Sequence, residues 1–186
     1  MTNQGSPADR TGSGRGATML EVEVDKLDVL LAKMEVQEFI HRYASMVDTG
    51  NFDGLGDLFR HGRIRTKDER GIESQWVGRD AIRNVFSQTV RTWDGIPRTK
   101  HLVSNLSVNV DANGPRAVCR SYYTVLHEAP GTPVHIVICG RYEDTFEVID
   151  GSWQLVDRFV YSDLFGDLTS HMMQTNQITT RLEDAT

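Results

Sequence analysis

Apolar residues recur at helical spacing from Leu20 onward, with Leu27, Leu30, Leu31 and Met34 followed by Phe39, Ile40, Tyr43, Ala44 and Val47 along one stripe. The stripe predicts a long helix, with any break near Lys33. Gly50 lies just past its last turn, where a left-handed cap belongs. Phe52–Phe59 reads as a short second helix despite two glycines, His61–Val77 as a strand pair around Gly71, and Asp80–Val90 as a helix through Ile82, Val85 and Phe86. After Pro97 the period becomes two and stays there through Thr99–Val110, Arg116–His127, Val134–Ile149 and Ser152–Tyr161. Asn113-Gly114, Gly131 and Asp150-Gly151 separate these runs as turns. Helices first and a meander of long strands afterwards predict an α+β domain, its helices packed on one face of a curved, mostly antiparallel sheet.

Composition narrows the function classes. The chain has 186 residues, enough for one ordinary domain, and no internal repeat or second domain is visible. Residues 1–18, rich in Gly and Ser, are expected to form a flexible tail. The net charge of -6, without any run of Lys or Arg, makes nucleic acid and anionic membrane poor partners. No apolar run approaches the roughly 20 residues of a membrane helix, and the first residues lack the apolar segment of a secretory signal, so the cytoplasm is the default expectation. Cys119 and Cys139 lie in apolar strand runs and read as free, buried thiols.

The standard metal, phosphate-loop and nucleophile-elbow signatures are missing, and six scattered histidines make no recognisable metal site. The candidates are polar residues in positions where burial is expected: Tyr43, Asp48, His101, Asn105 and Arg158. Each also has an ordinary reading. Asp48, in a last helical turn, is a natural solvated carboxylate, and Tyr43 on the apolar stripe is a natural core ring. Arg158 is a natural partner for Asp144 or Asp157. In the strand Thr99–Val110, strict alternation puts Leu102, Leu106, Val108 and Val110 on one side and His101, Val103, Asn105 and Ser107 on the other. That second face either meets water or lines a cavity.

The segments Tyr43-Ala-Ser-Met-Val-Asp48-Thr-Gly-Asn-Phe-Asp53, Leu58-Phe59, Gly78-Arg-Asp-Ala-Ile82, His101-Leu-Val-Ser-Asn105, Gly140-Arg-Tyr-Glu-Asp144 and Gly151-Ser-Trp153 through Arg158 resemble, in order and spacing, the SnoaL-like group of the nuclear-transport-factor-2 superfamily. The resemblance implies a cone-shaped α+β barrel over residues 19–165. In site pattern it is similar to scytalone dehydratase, bile-acid 7α-dehydratase and hexachlorocyclohexane dehydrochlorinase, which eliminate water or HCl with a His–Asp pair. Asp48 and His101 fall on that pair, Tyr43 on a substrate-contacting tyrosine and Arg158 on a pocket arginine. Scytalone dehydratase adds a second sheet histidine, for which His127 and His135 both stand open.

The expected chemistry is cofactor-independent, metal-free elimination on a small, largely apolar hydroxylated or carbonyl substrate. Asn105, Val103, Trp76, Phe86, Tyr122 and Phe146 are candidate substrate-binding residues. A proton-shuttling isomerase or cyclase, and a non-catalytic β subunit of a ring-hydroxylating dioxygenase, are the rival readings. A homo-oligomer, a trimer before a dimer, is expected to cover the outer sheet face. Residues 166–186, carrying Leu168, Met172 and Met173, are expected to act as a lid, to cross to a neighbouring subunit, or to remain a surface tail.

Overall fold

The computed structural model describes residues 16–67, 71–111 and 115–173. The Asn113-Gly114 turn, most of the predicted N-terminal tail and everything beyond Met173 lie outside the described residues. Helix α1 (Gly16–Thr49) starts within the predicted tail and is continuous, with no break at Lys33, because that segment contains no proline or glycine to interrupt the hydrogen-bond ladder. Gly50 ends the helix at φ +71, and a Cβ there would meet the Gly95 carbonyl at 2.4 Å, so only glycine both turns and lets the next segment approach. Helix α2 (Phe52–Leu58) follows, its first turn capped by the Asn51 side chain accepting from the Gly54 N–H at 2.9 Å.

Strands β1 (Arg63–Lys67) and β2 (Glu73–Val77) form a hairpin before helix α3 (Gly78–Thr89). Arg79 and Arg83 of α3 clamp α2 through Asp57 and Asp53. The meander then runs through β3 (Thr99–Val110), β4 (Arg116–His127), β5 (His135–Ile149) and β6 (Ser152–Phe165). Asp150 and Gly151, at φ +51 and +77, make the last hairpin turn with the two positive φ angles that a tight hairpin requires. The sheet is six-stranded, open and mixed, in the order β2-β1-β6-β5-β4-β3, with β1 parallel to β6 and every other pair antiparallel.

The core lies between the helices and the inner sheet face, built from Val36, Ile40, Val47, Leu55, Phe59, Ile82, Phe146 and Leu155. Only the second half of the α1 stripe enters it. Leu27, Leu30, Leu31 and Met34 remain about half exposed. Among the described residues no helix is long and apolar enough to cross a membrane.

β3 departs from strict alternation. Its register against β4 shifts between Ser104 and Ser107, and Asn105 takes φ +53, so one extra residue sits in the strand. Thr99, His101 and Val103 therefore face inward, and beyond the bulge the inward set becomes Leu106, Val108 and Val110. Leu102 is consequently exposed on the outer face.

Candidate active site

Asp48 projects from the last turn of α1 onto the start of β3. Thr99 Oγ1 donates to Asp48 Oδ1 at 2.7 Å, the His101 backbone N–H donates to Oδ2 at 3.0 Å, and His101 Nδ1 lies 2.6 Å from Oδ1. Both side chains are nearly buried, 9% exposed for Asp48 and 8% for His101. A carboxylate at a helix C-terminus opposes the macrodipole, and these converging donors offset that cost. Burial pushes the Asp48 carboxyl up, but the hydrogen bonds and charge of His101, with Thr99, outweigh it and hold the group below the ordinary carboxylate value. With Nδ1 engaged by an ionised carboxylate, neutral His101 carries its proton on Nδ1 and presents Nε2 as a base. Nε2 hydrogen-bonds to none of the described residues. The pair borders an open cavity of about 480 Å³ between α1 and β3, lined among others by His41, Ser45, Lys100 and Val103.

A second acid–base pair lies deeper. Arg158 Nε and Nη2 donate to Asp144 Oδ1 and Oδ2, both at 2.7 Å, and both side chains are fully buried. The guanidinium carbon sits 4.0 Å from the Tyr43 ring centre and 4.2 Å from that of Tyr142, clamped between aromatic faces. Burial works against the Arg158 charge, but the charge and hydrogen bonds of Asp144 raise it above its ordinary value. Burial likewise pushes the Tyr43 hydroxyl up. Tyr43 and Arg158 thus come together with each other, but neither is brought to His101. The α1 helix stays regular through Thr49, so the five-residue step from Tyr43 to Asp48 turns the two side chains apart.

The other sequence candidates separate in the same way. Val103 lines the cavity. Phe86 packs edge-on to Tyr43 and Trp76 packs partly buried against the core, neither at that cavity. Asn105 is the exposed bulge residue and Tyr122 is 53% exposed on the outer face, because pleat and bulge turn both away from the helices. Phe146 is fully buried against Phe39. Cys119 and Cys139 are free thiols, the first buried and pushed up by desolvation to about 12.

Sequence reasoning missed two residues here, Thr99 and His171, and left two open, His127 and His135. Thr99, not considered a site residue, is an Asp48 donor. Register places Thr99, His127 and His135 in one cross-strand row over β3, β4 and β5, so both histidines left open stand side by side. His127 is buried and neither ring nitrogen has a hydrogen-bond partner. His171, from the segment after β6, packs on it with ring centres 5.3 Å apart. The shared inward parity of Ala117 through His127 on β4 was the available signal for His127; no periodicity marks His171. Among the described residues no group of three or more His, Cys, Asp or Glu side chains is disposed to hold a metal ion.

A family model described as a SnoaL-like domain matches residues 28–159. No match is found among curated proteins. Three solved structures from Novosphingobium aromaticivorans share the fold. An NTF2-like protein with a cystatin-like fold has a TM-score of 0.62 and 22% identity, covering 79% of this chain and 91% of its own. A protein assigned as a scytalone dehydratase has a TM-score of 0.57 and 22% identity, covering 76% and 91%. The β subunit of a protein assigned as an aromatic-ring-hydroxylating dioxygenase has a TM-score of 0.61 and 14% identity, covering 74% and 93%.

Proposed function

Since the chain belongs to the SnoaL-like domain family, we propose that it is a lyase of the dehydratase type, working by acid–base chemistry on a small hydroxylated carbonyl compound. The observation that carries this reading is the 2.6 Å contact between His101 Nδ1 and a nearly buried, ionised Asp48, which leaves Nε2 without a partner among the described residues. Nε2 takes the proton α to the substrate carbonyl, and the C–H electrons form the new double bond as the β C–O bond breaks. The imidazolium returns its proton to the departing hydroxyl, which leaves as water, and His101 is neutral again. Asp48 holds the tautomer and stabilises the imidazolium between these steps. Arg158 takes no proton in them: Nε and Nη2 are committed to Asp144, and Nη1, though without a hydrogen-bond partner, is sealed from solvent with the rest of the side chain.

An isomerase or cyclase would use the same base but lose no water. A dioxygenase β subunit needs only the fold, and leaves the oriented dyad without a role. A mass-spectrometric screen of β-hydroxy carbonyl, steroid and polyphenol substrates separates these readings: loss of water supports the proposal, and rearrangement without mass change overturns it. Exposed Leu102, Tyr122, Ile136 and Leu164 on the outer sheet face support assembly of copies, a trimer before a dimer. A monomer by light scattering at micromolar concentration would exclude that assembly.

A further inference from the structure

The chain after β6 returns across the end of the sheet as a strap, residues 166–173. It is pinned by backbone hydrogen bonds from Gly166 N to Val137 O (2.9 Å), from Arg91 N to His171 O (3.1 Å) and from Met173 N to Thr89 O (2.8 Å). Gly166 allows the close start, since a Cβ there would lie 2.1 Å from the Ile136 carbonyl oxygen. Leu168 of the strap is buried in the core. The strap thereby seats His171 on His127, whose ring also meets Trp93 at 5.3 Å and His135 at 5.7 Å between centres.

This group stands out by its unmet hydrogen bonds. His127 Nδ1 and Nε2, His135 Nε2 and His171 Nδ1 are buried atoms without a partner. Unsatisfied buried polar atoms are costly and rare, and these four, on three rings in contact, form a group whose hydrogen bonds a polar guest would complete. His127 is the cross-strand neighbour of Thr99, itself bonded to Asp48, so the group adjoins the dyad.

We propose that His171 is a substrate-contacting residue, carried into the site by the strap, and that it holds a neutral hydroxyl of the substrate together with His127. The inference rests on the elimination reading of the same site and adds the substrate class: an uncharged hydroxylated ring compound rather than an acid. A hydroxyl both donates and accepts, and a neutral imidazole offers one N–H and one bare nitrogen, so the two rings satisfy both needs. Neutrality follows from the surroundings, because the rings pack on one another without a carboxylate partner. Burial, with the neighbouring His127, His101 and His135, pushes His171 down to about 4, and burial with His135 and Arg98 lowers His127. Trp93 supplies a flat apolar wall for the ring that bears the hydroxyl.

The test is binding of catechol, with benzoate as the anionic comparison, to the full chain, followed through the imidazole ¹⁵N resonances. Catechol is expected to shift the His127 and His171 nitrogens and to bind more tightly than benzoate. His171→Phe keeps a ring in the packing but removes both nitrogens, and should weaken catechol by about tenfold, the effect of one lost hydrogen bond. His171→Asn, which restores a donor and an acceptor, should recover part of that loss. Equal catechol affinity in H171F, tighter binding of benzoate, or no shift at catechol's solubility limit would each overturn the proposal. Binding is read without turnover, so a chain that holds catechol through His171 yet dehydrates nothing sinks the elimination reading alone.

Discussion

The inner face of this sheet carries two acid–base pairs with opposite fates. Asp144 and Arg158 meet in a bidentate fork at zero exposure, while Asp48 and His101 meet at the edge, beside an open cavity. In the first pair the cation has two donors committed to its partner and two aromatic rings over its faces, so it stays charged and holds the core. In the second, one ring nitrogen orients and the other remains available. Burial alone therefore does not mark a pair for chemistry; in the proposed function, an uncommitted atom beside open space does.

Removing the proposed base gives the largest expected change. His101→Ala should lower turnover by about 10²–10⁴ on a dehydrated substrate, far more than its loss of stability from removing an Asp48 donor would explain. If activity survives in the folded variant, the two pairs do not differ as described.

Asp144→Ala should do the converse, costing about 3–5 kcal/mol of stability by stranding the buried guanidinium, as chemical denaturation would measure. Replacing both partners by apolar residues, Asp144→Leu with Arg158→Met, should recover much of that loss. A double variant no more stable than D144A would mean that the pair is more than a packing device.

Acid sharpens the contrast next. Above pH 6.5 His171 is neutral folded or unfolded and contributes no pH dependence. Between 6.5 and about 4 the unfolded chain binds its proton and the docked ring does not, so stability falls as pH falls and levels off below about 4. The shift corresponds to on the order of 3 kcal/mol, and undocking of the strap limits the loss. Thermal melts across this window should slope less steeply for His171→Phe than for the native chain; parallel slopes would discard His171 as the source.

The smallest effect belongs to Thr99→Val. It removes one donor from Asp48 while keeping volume, and should cost about 0.5–1.5 kcal/mol in stability or transition-state binding, seen as a modest fall in kcat. An effect as large as that of His101→Ala would make Thr99 a partner in the chemistry.

Much of this was legible in the chain itself. Period-two alternation located β3 and β4 to the residue, because side-chain direction along a strand follows from the backbone alone. Asp150-Gly151 announced its hairpin for the same local reason, and the order of segments around Asp48 and His101 announced their pairing through family resemblance. What no local rule carries is where alternation fails. The bulge at Asn105 reverses the inward set of β3, since one added residue exchanges the faces of every residue beyond it. Nor does sequence tell which buried charges find each other: Arg158 reads equally well beside Asp144 or Asp157, and only the packed sheet seals the first pair while giving Asp157 to Arg63 and Arg65. His171 is the extreme case. It lies on no periodic element, and its place against His127 follows from the strap closing over the sheet. Local geometry is set by neighbours in the chain, whereas which atoms are left without partners is set by everything that packs around them.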